Sequence, residues 1–259
     1  MLKKLFLSTL GIAFLLLSIA LYRTLSHTAP ANEIIAGEVI SIDEIKASQN
    51  LAASIRFKTI SYQDEEMFPY EEFDNFIKWA AATYPEFHRV MEVEQLEHSL
   101  LFKWQGSDTT LAPILFEGHH DVVPIIPGTE NLWQENPFAG VISNNRIWGR
   151  GALDDKSGVI GLMEAATYLI KSNFNPKRTI YFSFGHDEEV GGGGAALITE
   201  KLREDGVQLL WSLGEGSFVN KGFFPGINKF IAPINVAEKG SANLMIIAKA
   251  KGGHSSTPP

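Results

Sequence analysis

Three apolar segments of this chain each end in side chains that can ligate a metal or move a proton. APILFEG runs into His119-His120-Asp121, TIYFSFG into His186-Asp187-Glu188-Glu189, and LLWSLG into Glu215. A fourth acidic pair, Asp154-Asp155, sits in the glycine-rich stretch GRGALDDKSG. The adjacent carboxylates of Asp187, Glu188 and Glu189 repel one another, at greater cost where water is scarce, and a cation would offset this. Imidazole and carboxylate without sulfur suit zinc and neighbouring divalent ions. Several carboxylates around few histidines suit two such ions sharing a bridging carboxylate, about 3.5–4 Å apart. One member of the Glu188-Glu189 pair would then be a ligand, and the other would take a proton from a metal-bound water.

Each signal has a plainer reading when taken alone. His119-His120 can be an ordinary loop pair. Asp154-Asp155 can cap the helix that follows, and Glu188-Glu189 can favour the amino end of the next one. The run Gly191–Gly194 lacks the following Lys-Ser/Thr of a phosphate-binding loop. Their joint placement at successive strand ends favours the metal site.

The elements that must position these groups alternate. Strands are expected at Ser99–Gly106, Ala112–Asp121, Arg178–Gly185 and Val207–Gly214. Helices are expected from about Ser41 to Thr59, with Ser41 as N-cap and Glu44 completing a capping box, and from Tyr70 to Thr83 behind Pro69. Two more cover SGVIGLMEAATYLIKS before Asn173 and AALITEKLRE before Asp205. Alternating strands and helices predict an α/β domain. In open sheets of this kind ligands bind beyond the carboxyl ends of the strands, where all the acidic and imidazole groups fall. From about Val236 the pattern changes to a turn, an alternating strand and a loop containing His254, which by chemistry alone could also be a ligand. The last strand begins a new sheet without partners, so the chain reads as a piece of a longer protein.

Composition narrows the function. A net charge of −8 offers no basic face for nucleic acid. The absence of cysteine rules out disulfides and thiolate metal sites. Leu5 to Tyr22 is an uncharged, mostly apolar run of eighteen residues behind Lys3-Lys4. It nearly spans a bilayer core of about 30 Å, and the lysines favour a cytoplasmic amino end. An anchor is favoured over a cleaved signal peptide, and either one exports the protein. The expected organisation is a signal segment at 1–30, a catalytic domain at 31–235, and the start of a lid domain at 236–259.

GHHDVVP, GRGALDDKSG, GHDEEVGG, LGEG and GGHSSTPP, in that order, resemble the M20 metallopeptidases. The branch is that of carboxypeptidase S and the PM20D1-type N-acyl-amino-acid hydrolases. The resemblance implies a mixed-sheet, zinc-peptidase-like catalytic domain carrying an inserted α+β lid. It implies two Zn2+ ions, with Co2+ as a substitute. His119 and Glu215 would bind one ion, Glu189 the other, and Asp154 would bridge both, followed by a cis peptide bond. Asp121 would orient His119, Glu188 would be the general base, and His120 would not be a ligand. His254, from the lid, would polarise the scissile carbonyl in a partner subunit, so a homodimer through the lid is part of the expectation. A further histidine of the family falls beyond Pro259, and the piece alone is expected to be inactive. The implied reaction is hydrolysis of the amide bond in small N-acyl amino acids or dipeptides, with synthesis as its reverse. An aminopeptidase of the same fold, or a membrane-anchored binding ectodomain without the chemistry, are the alternatives.

Overall fold

The computed structural model describes residues 2–27, 40–237, 240, 244–247, 253 and 256. The chain separates into two compact units, Met1–Ser41 and Ile42–Pro259. In the first, helix α1 runs from Leu2 to Ser26. Its segment Phe6–Ser26 is long and apolar enough to cross a membrane.

The second unit opens with α2, Glu44–Ser54. Its N-cap is Asp43, whose carboxylate accepts from the Lys46 amide at 3.0 Å, so the expected cap at Ser41 lies two residues too early. An aspartate at that position is as good an acceptor as a serine. Helix α3, Tyr70–Thr83, has the expected bounds. A short α4, Pro85–Val90, follows directly, with proline in its first turn where a missing N–H costs nothing. Then come β1 (Glu92–Leu96), β2 (Ser99–Trp104), β3 (Ile114–His119) and the hairpin β4 (Val141–Ser143) and β5 (Arg146–Trp148). Asn144 and Asn145 turn that hairpin with φ of 51° and 58°, a conformation asparagine tolerates better than most residues. Helix α5 (Lys156–Lys171), β6 (Ile180–Gly185), α6 (Gly194–Glu204) and β7 (Trp211–Leu213) complete the sheet. A small hairpin, β8 (Asn220–Lys221) with β9 (Phe230–Ile231), follows. Strand β7 is shorter than the expected Val207–Gly214, since Val207 and Leu209 pack on the α6 side of the core instead.

The main sheet has the order β1-β2-β6-β3-β7. The β1-β2 and β2-β6 pairs are antiparallel, whereas β6, β3 and β7 run parallel. Both faces are covered, as mixed sheets of this kind require. Leu100, Phe102, Phe182 and Phe184 pack against Phe76, Phe87, Val159 and Met163 from α3, α4 and α5. The alternate residues Leu101, Leu115 and Tyr181 pack against Ile198 and Leu202 of α6. Period-two alternation therefore assigns each strand residue to one of two cores.

The chain after β2 passes very close to the start of β6. A Cβ added at Gly106 would fall on the backbone of Lys177, Arg178 and Thr179, with no flexible side chain to yield. Gly106→Ala is therefore expected to destabilise the fold by about 1–3 kcal/mol, as overpacking does, read as a lowered midpoint in chemical denaturation.

Candidate metal centre

The parallel register delivers the reactive groups to one edge. His119 ends β3 and lies opposite Gly185, the last residue of β6, while Phe116 lies opposite Leu213 of β7. The residues that continue past β6 and β7, Glu188 and Glu215, therefore emerge beside His119. Asp154 reaches the same place from the loop before α5. One ligand atom each from His119, Asp154 and Glu215 lie within 4.8 Å of one another. His119 Nε2 is 3.0 Å from Asp154 Oδ1, 3.2 Å from Glu215 Oε1 and 3.8 Å from Glu188 Oε2.

On its other side the imidazole is held by Asp121. His119 Nδ1 donates to Asp121 Oδ1 at 3.1 Å. The carboxylate also accepts from Ser61 Oγ at 2.6 Å and from the backbone amides of Glu188 and Glu189 at 3.2 Å each. It is fully buried, and the bonds from His119 and Ser61 hold its pKa below the usual carboxylate range despite that burial. With Nδ1–H committed to Asp121, a neutral His119 turns a lone pair at Nε2 toward carboxylate oxygens. Acceptors facing acceptors need a proton or a metal ion between them. The donor set, one imidazole with Asp and Glu oxygens and no sulfur, fits zinc or a similar divalent ion.

The titration behaviour carries the same signature. Burial alone would depress the His119 imidazole, but Asp121, Glu215 and Asp155 carry it up to about 10. Burial pushes Glu215 up to about 7, with His119 opposing and Asp154, Asp155 and Glu188 adding to the rise. The metal-free cluster therefore holds a proton at neutral pH that an incoming ion must displace. Metal affinity is expected to rise with pH through the Glu215 and His119 values of about 7 and about 10, and binding is expected to release protons, as measured by calorimetry in buffers of different ionisation enthalpy. A pH-independent affinity would remove the protonated imidazole from the account.

The run His186 to Glu189 resolves its own repulsion by divergence. His186 is buried and turns its Nδ1 to Ser99 Oγ at 2.7 Å. Asp187 accepts from the Gly194 amide at the start of α6, at 3.0 and 3.1 Å, where a helix favours an anion. Glu188 faces His119. The Glu189 carboxyl is raised by burial and then by Asp154, but it is not one of the three residues whose ligand atoms gather within 4.8 Å. His120 is fully buried against Phe76, its ring 4.8 Å away and nearly parallel; burial pushes it down to about 3. It takes no part in the cluster, whereas His254 lies outside the described residues.

The two readings of Asp154-Asp155 each apply to one residue. Asp154 joins the cluster. Asp155 caps α5, accepting from Gly158 N at 3.1 Å, and also accepts from the His119 amide at 3.2 Å. The peptide between them is cis. Sequence reasoning missed Ser61, which no local pattern marks, and the division of the aspartate pair into one cluster residue and one helix cap. A cleft of about 860 Å³ opens beside the cluster, lined by His119, Glu188 and Glu215, with Leu115, Ile198 and Leu202 along its apolar side.

A two-sided mixed sheet with acidic and imidazole groups gathered at the carboxyl ends of its parallel strands places a candidate metal-binding cluster where such sheets bind their ligands. The chain belongs to the peptidase family M20/M25/M40, whose model matches residues 115–246, and M20 peptidases are metal-dependent, usually on zinc. It is 34% identical, over 98% of its length and 51% of the relative's, to a probable carboxypeptidase S-like 2 of Dictyostelium discoideum. It is 38% identical, over 84% of its length and 43% of the relative's, to the N-fatty-acyl-amino acid synthase/hydrolase PM20D1 of Mus musculus. The chain thus spans about half the length of the curated relatives it matches. Among solved structures it is similar in fold to an M20 family metallo-carboxypeptidase from Sulfolobus solfataricus, with a TM-score of 0.54 and 22% identity over 68% of this chain and 38% of that one. Human carnosine dipeptidase 1 gives a TM-score of 0.52 at 21% identity, over 68% and 40%.

Proposed function

We propose that the protein is a zinc-dependent hydrolase that cleaves the amide bond of small N-acyl amino acids or dipeptides. The observation that carries this reading is the convergence of Asp154, Glu188 and Glu215 on His119 Nε2 while Asp121 holds Nδ1. In this reading His119 and Glu215 would hold one zinc ion and Glu189 a second, with Asp154 available to both. Zinc held there would supply an acidified water, with a pKa of about 7, and polarisation of a carbonyl. Asp121 keeps His119 in the tautomer that leaves Nε2 free. Glu188, whose side chain is 56% exposed, accepts the proton as water attacks the amide and passes it on to the leaving amine. His254 steadies the developing oxyanion.

The names of the relatives support an acylated amino acid or a peptide as substrate. The apolar side of the cleft supports an acyl group. Helix α1, with Lys3 and Lys4 before its apolar run, supports export, with the catalytic part outside the cytoplasm, anchored or released by cleavage.

The test is an assay of the complete protein on N-acyl amino acids, dipeptides and substrates with a free amino terminus, with and without chelator and with elemental analysis. Hydrolysis of N-acyl amino acids that is lost with the metal and restored by zinc is expected. Full activity without metal would overturn the mechanism. Preference for a free amino terminus would make it an aminopeptidase, and a loaded but inert protein would make it a binding ectodomain.

A further inference from the structure

We propose that Lys156 is the positioning residue for the Asp154 carboxylate, supporting the loop from beneath and tying it to the end of α2. The inference rests on the metallohydrolase reading above and extends it to a residue outside the donor set. Asp154 needs such support. Its side chain is 52% exposed, and among the described residues His119 is its sole hydrogen-bond partner. Its place is therefore set by the backbone that carries it.

That backbone lies on the lysine. A Cβ added at Gly151 would fall 2.9 Å from Lys156 Cδ and 3.0 Å from Cγ, so the loop runs directly over the side-chain stem. Ser157 N donates to Gly151 O at 3.2 Å and closes the loop onto the start of α5. The ammonium is fully buried. It donates to Ser54 O at 3.0 Å and Phe57 O at 2.6 Å, and stands 5.5 Å from the centroid of the Phe76 ring. Carbonyls at a helix end lack intrahelical partners, and Lys156 supplies one for the end of α2. An apolar side chain would fill the same space without the desolvation cost of a buried charge. The ammonium adds direction, since two fixed carbonyls determine where the stem lies and hence where Gly151 rests. Asp155, which links Asp154 to Lys156, is anchored in turn by accepting from the His119 amide. Asp154 thus sits in a loop fixed at Gly151 on one side and at Asp155 on the other.

Lys156→Met keeps most of the stem and removes the ammonium. It is expected to weaken Zn2+ and Co2+ binding by about 10–100-fold, the range seen when a ligand's supporting partner is lost. Binding would be read by competition with a chromophoric chelator at a temperature where circular dichroism shows the variant folded. The visible spectrum of the Co2+ form should change as well. The control is Glu164→Gln, further along the same helix, where Glu164 accepts from Tyr84 and Asn50. It should alter the melting midpoint and leave metal affinity unchanged. Unaltered affinity and spectrum in Lys156→Met would overturn the inference. Failure of the unaltered protein to bind metal would instead overturn the metallohydrolase reading, which is a separate result. Should Lys156→Met not fold, hydrogen exchange on the unaltered protein decides. Metal binding should slow exchange of the Arg56 and Phe57 amides at the end of α2, and protection confined to residues 149–155 would refute the tie.

Discussion

Glu188→Gln is expected to leave the metal in place and to lower kcat by about 10²–10⁴-fold, the usual contribution of a positioned general base. That corresponds to roughly 3–5 kcal/mol of transition-state stabilisation. The side chain stands 3.8 Å from His119 Nε2, farther than Asp154 or Glu215, and is more than half exposed. It is close enough to serve a water at the cluster and free enough to exchange a proton. Its backbone is fixed, because Glu188 N donates to Asp121. Glutamine keeps the length and the backbone bond but cannot take up the proton. KM should therefore change little and metal content not at all. Loss of metal in this variant would make Glu188 a ligand, and unchanged turnover would move the base elsewhere, with Glu189 next in line.

The second large effect is expected at Asp121. Its two oxygens accept from four donors: His119 Nδ1, Ser61 Oγ and the amides of Glu188 and Glu189. Asp121→Ala strands Ser61 Oγ and the two amides, each unsatisfied donor costing about 1–3 kcal/mol, and leaves His119 Nδ1 with the backbone carbonyl of residue 121 alone, at 3.2 Å. It thereby weakens the hold on the imidazole and loosens the turn that carries both glutamates. Metal affinity should fall by about 10–100-fold, and turnover by more, because Glu188 and Glu189 lose their support together. Asp121→Asn should be intermediate. Its amide oxygen serves one pair of donors, while its NH2 faces the other pair. The checks are metal titration and kcat on the refolded variants. An Asp121→Ala protein that binds metal as before would show that the carboxylate is a fold element alone.

Much of this site could be read from the chain because parallel strands place whatever follows them along one edge. His119, Glu188 and Glu215 each follow an apolar run, and knowing that the runs are parallel suffices to bring them together. Strand order could not be read in this way. That β6 lies between β2 and β3 depends on packing between segments far apart in sequence. Ser61 reaches Asp121 across sixty residues, and nothing in the surrounding sequence marks it. Strand β1, EVEQL, escaped notice because it is a solvent-exposed edge with too few apolar residues to show alternation. The Asp154-Asp155 pair is legible in the sequence, but its division of labour depends on the conformation of the loop, which places one carboxylate outward and the other under His119.

The gathered donors come from well-separated stretches of a chain that has no cysteine. Asp154 comes thirty-five positions after His119, and Glu215 arrives from another strand much later. An ion gripped by all three ties off long loops as a covalent bridge would, trimming the freedom of the unfolded chain. Unlike a disulfide, such a clasp ignores the redox state of its surroundings and opens to acid or a chelator instead.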